Sequence, residues 1–194
     1  MDNNDNQNYW HLGDIKLRAA NENDAELFCE HFNASPAWVE RAFDRVRFPR
    51  SARESGRWLA ETGAGPDRSE NDDRQVFIIE KINECPFIGY VDVWEADPRN
   101  GVFKTGIKMA GGYAGKGYAT RAFVRVLEYY FNELRYQKCS IYVYEFNEAS
   151  LRFHKKLGFA GEGRLRREYY TEGRYYDSIC LGLLAEELII PRGI

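Results

Sequence analysis

Four glycines and a lysine fall within ten residues at 111–120, GGYAGKGYAT. The alternating run VFKTGIKMA precedes this segment and the amphipathic run RAFVRVLEYYFNEL follows it, so the pattern predicts a strand, a glycine turn and a helix. Backbone N–H groups at such a helix start, unscreened by side chains and backed by the helix dipole, cradle a phosphate or pyrophosphate. Two phosphate motifs fail on the residues themselves. A Walker A loop needs Gly-Lys-Ser/Thr, but Gly115-Lys116 is followed by Gly117, and position 110 is Ala. The dinucleotide pattern fails because Gly115-Lys116-Gly117 leads to Thr120. What remains is a compact turn, Gly115 to Ala119, that runs straight into a helix.

The elements around the turn follow from local patterning. Asp14–Ala20 reads as a strand, and NENDAELFCEHF starts a helix with Asn and Asp at cap positions. Further helices are expected over Pro36–Phe48 and Ser51–Glu61, then a loop over Thr62–Asp73. QVFIIEKI and PFIGYVDVWE make a hairpin through Asn83-Glu84-Cys85, and a turn at Asp97–Gly101 leads to Val102–Met109. The helix over Ala119–Leu134 places Ala119, Phe123, Val126, Leu127, Tyr130 and Leu134 on one face. Cys139–Phe146 is a strand, Asn147 caps the next helix and Gly158 closes it. A final hairpin turns at Glu172-Gly173. The order β-α-α-β-β-β-α-β-α-β-β predicts an α/β (α+β) fold with a mixed sheet, without a run of βαβ units.

The 194 residues, 44% hydrophobic and 15% aromatic, suffice for one packed domain over 14–190 behind a flexible polar tail at 1–13. No apolar run approaches the roughly 18 residues that span a bilayer, and the polar start lacks a signal-peptide layout, so a cytoplasmic, membrane-free protein is expected. Cys29, Cys85, Cys139 and Cys180 are widely spread without a C-x-x-C, which argues for reduced thiols and no metal. The net charge of -3 gives no reason to expect a nucleic-acid partner. Between Arg41 and Arg57, however, six arginines face only Asp44 and Glu54. That segment is either a solvated helical face or a lid that attracts an acidic partner.

Three segments together resemble the GNAT superfamily of N-acetyltransferases. AGKGYAT followed by an amphipathic helix is similar to its acetyl-CoA loop, with Gly117 and Ala119 at the small positions and Ala114 where the family prefers Gln or Arg. NEASLRFHKKLGF, Asn147–Phe159, resembles its segment after the fifth strand. EGRYYDSICLGLLAEE, Glu172–Glu187, resembles the end of the branch that contains spermidine and ribosomal-protein N-acetyltransferases. The resemblance implies a mostly antiparallel sheet of about six or seven strands, splayed between the fourth and fifth. It also implies a helical lid at 35–62 over the acceptor side, an acetyl-CoA core at 101–159 and a homodimer.

By the same resemblance, Ile107, Lys108 and Met109 offer backbone hydrogen bonds to the pantetheine arm. Ala114, Gly115, Lys116, Gly117, Tyr118, Ala119 and Thr120 hold the pyrophosphate, and Asn147 and Ser150 contact the pantetheine or thioester. His154 stands where relatives carry an acid tyrosine, and a histidine near its ordinary pKa of about 6.5 can protonate a thiolate. Asp92, Glu95 and Glu80 are candidate bases on strands flanking the expected substrate cleft. The implied reaction is acetyl transfer from acetyl-CoA to a primary amine on a peptide, polyamine or amino sugar. A polyamine site should present carboxylates, so the Arg-rich segment argues instead for an acceptor with an anionic portion or an acidic protein surface. Ala114 and the missing tyrosine at 154 keep open a CoA-binding or interaction module without turnover.

Overall fold

The computed structural model describes residues 8–36, 40–41, 49, 51–63 and 74–192. Eight strands form one sheet: β1 His11–Leu12, β2 Ile15–Ala19, β3 Gln75–Lys81, β4 Cys85–Asp97, β5 Val102–Met109, β6 Lys138–Tyr144, β7 Ala160–Thr171 and β8 Arg174–Leu184. Their order is β1-β2-β3-β4-β5-β6-β8-β7, mostly antiparallel, with β5 and β6 parallel. The helices are α1 Ala25–Asn33, α2 Ala52–Gly63, α3 Tyr118–Glu128 and α4 Glu148–Lys156. The expected mixed α/β fold is therefore present. Pro36–Phe48 and the loop after Gly63 fall mainly outside the described residues, as does the tail before Asn8. None of these helices is long and apolar enough to cross a membrane.

Contacts divide the chain into two compact units, one of residues 1–33, 50–92 and 107–126, the other of 34–49, 93–106 and 127–194. In the first, Ala20, Ala25, Phe28, Leu59, Val76, Ile78, Phe87, Tyr90 and Ala110 form a buried apolar core. A 3-10 turn, Glu22–Asp24, leads into α1 and carries a capping box: Asn21 accepts from the Asn23 amide at 2.9 Å, and Asp24 accepts from the Asn21 amide at 2.9 Å. α2 begins likewise, with Ser51 and Glu54 exchanging backbone-to-side-chain hydrogen bonds.

Residues 8–13 do not behave as the predicted tail. Trp10 packs against Phe77 with ring centroids 5.4 Å apart, and β1 pairs antiparallel with β2. The sequence-local polarity of this stretch is overridden by one half-buried aromatic and a strand partner, which adds β1 to the expected sheet.

In the second unit Phe103 stacks on Tyr130 at 4.5 Å and meets Phe131 and Tyr136 at 5.6 and 5.5 Å. The helical pattern expected to run straight to Leu134 changes pitch first. Tyr129–Glu133 form a π-helical turn, and the Leu134 amide donates to the Tyr129 carbonyl at 3.1 Å. Tyr130, on the expected face, and Phe131 are both buried in this wider turn, and Leu134 is exposed.

Gly158 ends α4 as expected, at φ +101, in the left-handed region that favours glycine. A Cβ there would stand 2.2 Å from the Glu187 carbonyl oxygen, so glycine is needed for space as well. Gly158→Ala is expected to lower the unfolding free energy by about 3 kcal/mol in denaturant titration. A change under about 0.5 kcal/mol would show that the Leu184–Leu188 backbone yields instead.

Candidate functional site

The glycine segment bridges β5 and α3. The Ala110 amide donates to the Ile88 carbonyl at 2.8 Å, and the Tyr113 amide donates to the Ala110 carbonyl at 3.3 Å. Tyr113 also packs against the first core, while the Cys85 thiol beside its hydroxyl, together with burial, pushes its pKa up. Beyond that anchor the loop is open. Gly112, Gly115 and Gly117 have φ of +85, +77 and +82, and a Cβ on any of them would meet nothing within 4 Å. Glycine is required here by backbone conformation, and the space above the loop admits a ligand.

Ala114, Gly115, Lys116 and Gly117 are exposed, and Tyr118, Ala119 and Thr120 form the first, half-buried turn of α3. The Arg121 amide donates to the Gly117 carbonyl at 3.1 Å. The first amides of a helix have no carbonyl of their own helix to pair with, which is what an anion site requires. Lys116 lies 5.5 Å from the centre of the Tyr113 ring, close enough to add charge at the loop's edge.

A charge network holds this end of α3. Asp14 receives hydrogen bonds from Lys81 and Arg121, which lower its pKa to about 2, with Lys81 the larger cause. Lys81 also donates to the Tyr118 hydroxyl at 2.9 Å, and Arg121 donates to the Leu12 carbonyl at 2.7 Å. No sequence signal announces this arrangement, since Asp14, Lys81 and Arg121 are brought together only by the fold. On β5, Lys108 is buried and Ile107 and Met109 are half-buried. The β5–β6 ladder ends before them, at Lys104↔Ser140.

In the second unit α4 carries three of the expected residues. Asn147 caps it, its Oδ1 accepting from the Ser150 amide at 3.1 Å, so the side-chain N–H₂ is the end it can offer a ligand. His154 is buried one turn further on, with Phe153 and Phe159 edge-on at 5.0 and 5.1 Å. Its Nδ1 lies 2.8 Å from the Ser150 carbonyl and 3.2 Å from the Ser150 hydroxyl. A carbonyl only accepts, so Nδ1 carries the proton and, in the neutral ring, Nε2 carries none. Burial lowers the His154 pKa from 6.5 to about 4, against a smaller raising effect of the Ser150 carbonyl. The premise of a histidine near its ordinary pKa is thus corrected: the neutral ring has no proton at Nε2 to give.

The candidate bases sit in ion pairs. Asp92 is half-buried, 4.0 Å from an Arg74 guanidinium nitrogen. Glu95 is exposed at φ +48 and is held by Lys104, whose ammonium also lies 4.9 Å from the Tyr142 ring centre. Glu80 is bridged by Lys16 and Arg18, each at 2.9 Å. Among the described residues no group of His, Cys, Asp and Glu is placed to hold a metal ion.

The buried histidine has a measurable consequence. Below pH 6.5 the unfolded chain takes up a proton that the folded chain refuses, so the folded state carries no penalty above that pH. The penalty grows as pH falls toward 4 and reaches about 3 kcal/mol at 1.36 kcal/mol per pKa unit. Unfolding free energies measured at successive pH values should therefore fall more steeply for the wild type than for His154→Phe. Parallel curves would show that His154 is solvated.

Comparison with known proteins accords with this geometry. A family model described as acetyltransferase (GNAT) domain matches residues 14–160. Over 185 residues, 95% of this chain and 98% of the relative, the chain is 35% identical to the SPbeta prophage-derived uncharacterized N-acetyltransferase YokL of Bacillus subtilis (strain 168). A 77-residue stretch, 40% of this chain and 41% of the relative, is 39% identical to the spermidine N(1)-acetyltransferase of Escherichia coli (strain K12). The solved spermidine N-acetyltransferase from Vibrio cholerae, in complex with CoA and spermine, shares the fold at TM-score 0.76. It is 22% identical, over 90% of this chain and 97% of that chain. The chain belongs to the GNAT acetyltransferase family and is an N-acetyltransferase of that family.

Proposed function

We propose that the protein transfers an acetyl group from acetyl-CoA to a primary amine by direct attack. The observation that carries this reading is the open glycine loop at the start of α3. Three positive-φ glycines leave its amides unobstructed, as a pyrophosphate needs. Residues 114–120 hold the pyrophosphate through backbone N–H groups, so Ala114 in place of a larger side chain removes no backbone donor. Ile107, Lys108 and Met109 offer their backbone to the pantetheine arm, and the Asn147 amide and Ser150 complete its binding.

Chemistry then consists of attack by the neutral amine on the thioester carbon and departure of the CoA thiolate. The ammonium proton leaves to water. Asp92 and Glu95 are not assigned the base, because each is engaged by a cation. His154 acts by fixing α4, and it gives no proton to the sulfur. Exposed Leu165, Tyr170 and Tyr175 on the β7–β8 edge support a homodimer, which light scattering would report.

Thiol release and the mass gain of one acetyl group, followed over a panel of amines, test the reading. Binding of acetyl-CoA without thiol release on any amine would favour a CoA-binding module instead. Gly117→Val is expected to raise the KM for acetyl-CoA by about tenfold or more, about 1.4 kcal/mol, by crowding the loop. His154→Phe is expected to keep turnover within about threefold from about pH 6 to 9, with no new inflection. A loss of about a hundredfold would restore His154 as a proton donor.

A further inference from the structure

A pocket of about 390 Å³ opens beside the start of α4 and the β7–β8 turn. Asn147 is on its wall, so under the acetyl-transfer reading, on which this inference rests, the pocket adjoins a residue that holds the donor. Phe146 and Tyr176 supply apolar surface, with ring centroids 4.7 Å apart. Four charged side chains also line it, Arg41, Glu148, Glu172 and Arg174, and their pairing decides what the pocket can accept.

Both carboxylates already have a guanidinium. Glu172 is 3.0 Å from Arg41, and Glu148 is 2.8 Å from Arg152. Arg174 has no carboxylate partner among the described residues. Its Nε–H donates to the Tyr176 hydroxyl, and its guanidinium carbon lies 4.6 Å from the centre of the Tyr176 ring. That grip orients the fork and leaves its terminal N–H groups for a ligand. Arg41 adds a buried Nε with no hydrogen-bond partner among the described residues. A polycation would meet the Arg174 guanidinium and find both carboxylates engaged. A planar or tetrahedral anion would meet an oriented fork, the geometry in which arginine binds carboxylate and phosphate best.

We propose that this pocket selects the acceptor through a carboxylate or phosphate carried on the same molecule as the amine, and that it disfavours polyamines. The acceptor is then a small zwitterionic amine or an acidic peptide start.

Matched acceptors test the proposal: Ala-Glu-Ala against Ala-Gln-Ala, O-phosphoethanolamine against ethanolamine, and spermidine alone. An acidic member should exceed its neutral partner in kcat/KM by about tenfold or more, and should exceed spermidine. Arg174→Met should bring the acidic-to-neutral ratio toward one, while the KM for acetyl-CoA stays within about twofold. Arg174→Lys, which keeps the charge and loses the fork, should fall between them. Equal use of both members of every pair, or best use of spermidine, overturns the proposal. A rise in the KM for acetyl-CoA with Arg174→Met also overturns it, by assigning the pocket to the donor's phosphates. Calorimetry with acetyl-CoA separates the two levels: no binding and no thiol release removes the transfer reading itself, whereas transfer without acidic preference removes only this one.

Discussion

The parallel ladder between β5 and β6 closes three residue pairs and stops at Lys104↔Ser140, and the candidate site depends on that short length. A sheet that paired β5 throughout would spend its backbone groups on a neighbour. Here Ile107, Lys108 and Met109 lie beyond the last pair with β6, on the stretch of β5 that leads into the glycine loop. The strand therefore ends in two features of one kind, backbone groups outside that ladder and then the unscreened amides of a helix start. In the proposed reading both serve the donor, recognised through main chain, so Ala114 removes no donor group. The loop is held by Tyr113 against the first core and, at the start of α3, by Asp14, Lys81 and Arg121.

α4 is fixed by a different logic, from its two ends and its middle. Asn147 caps the start, Gly158 lets the exit pass close to the Glu187 carbonyl, and His154 fills the aromatic space between Phe153 and Phe159. The imidazole earns its place by packing and by one hydrogen bond to Ser150. Desolvation that makes it a good core residue makes it a poor acid at neutral pH. The two roles compete for the same ring.

Much of this was legible in the sequence where the signal was local. Asn147, Gly158 and the Glu172-Gly173 turn, with φ of +52 and +78, are single-residue signals with one conformational meaning each. The element order followed from periodicity, and three ordered motifs pointed to the family. What could not be read is what depends on distant residues. Trp10 is polar-tail sequence until Phe77 is beside it. Leu134 fits the helical face until the π turn shifts it. His154 has an ordinary pKa until burial is known, and Glu95 is a candidate base until Lys104 is found on it. Arg174 and Tyr176 lie in the expected last hairpin with no signal of their own, because sequence spacing does not say which guanidinium already has a carboxylate.

Main-chain recognition of the donor at the end of β5 and at the start of α3, as proposed, is open to amide hydrogen exchange with and without acetyl-CoA. Exchange at Ile107–Met109 and at Gly115–Ala119 should slow together on addition of acetyl-CoA, in the wild type and in His154→Phe alike. Saturating acetyl-CoA that leaves both segments unchanged, or protects only regions outside them, would mean that the donor is held elsewhere.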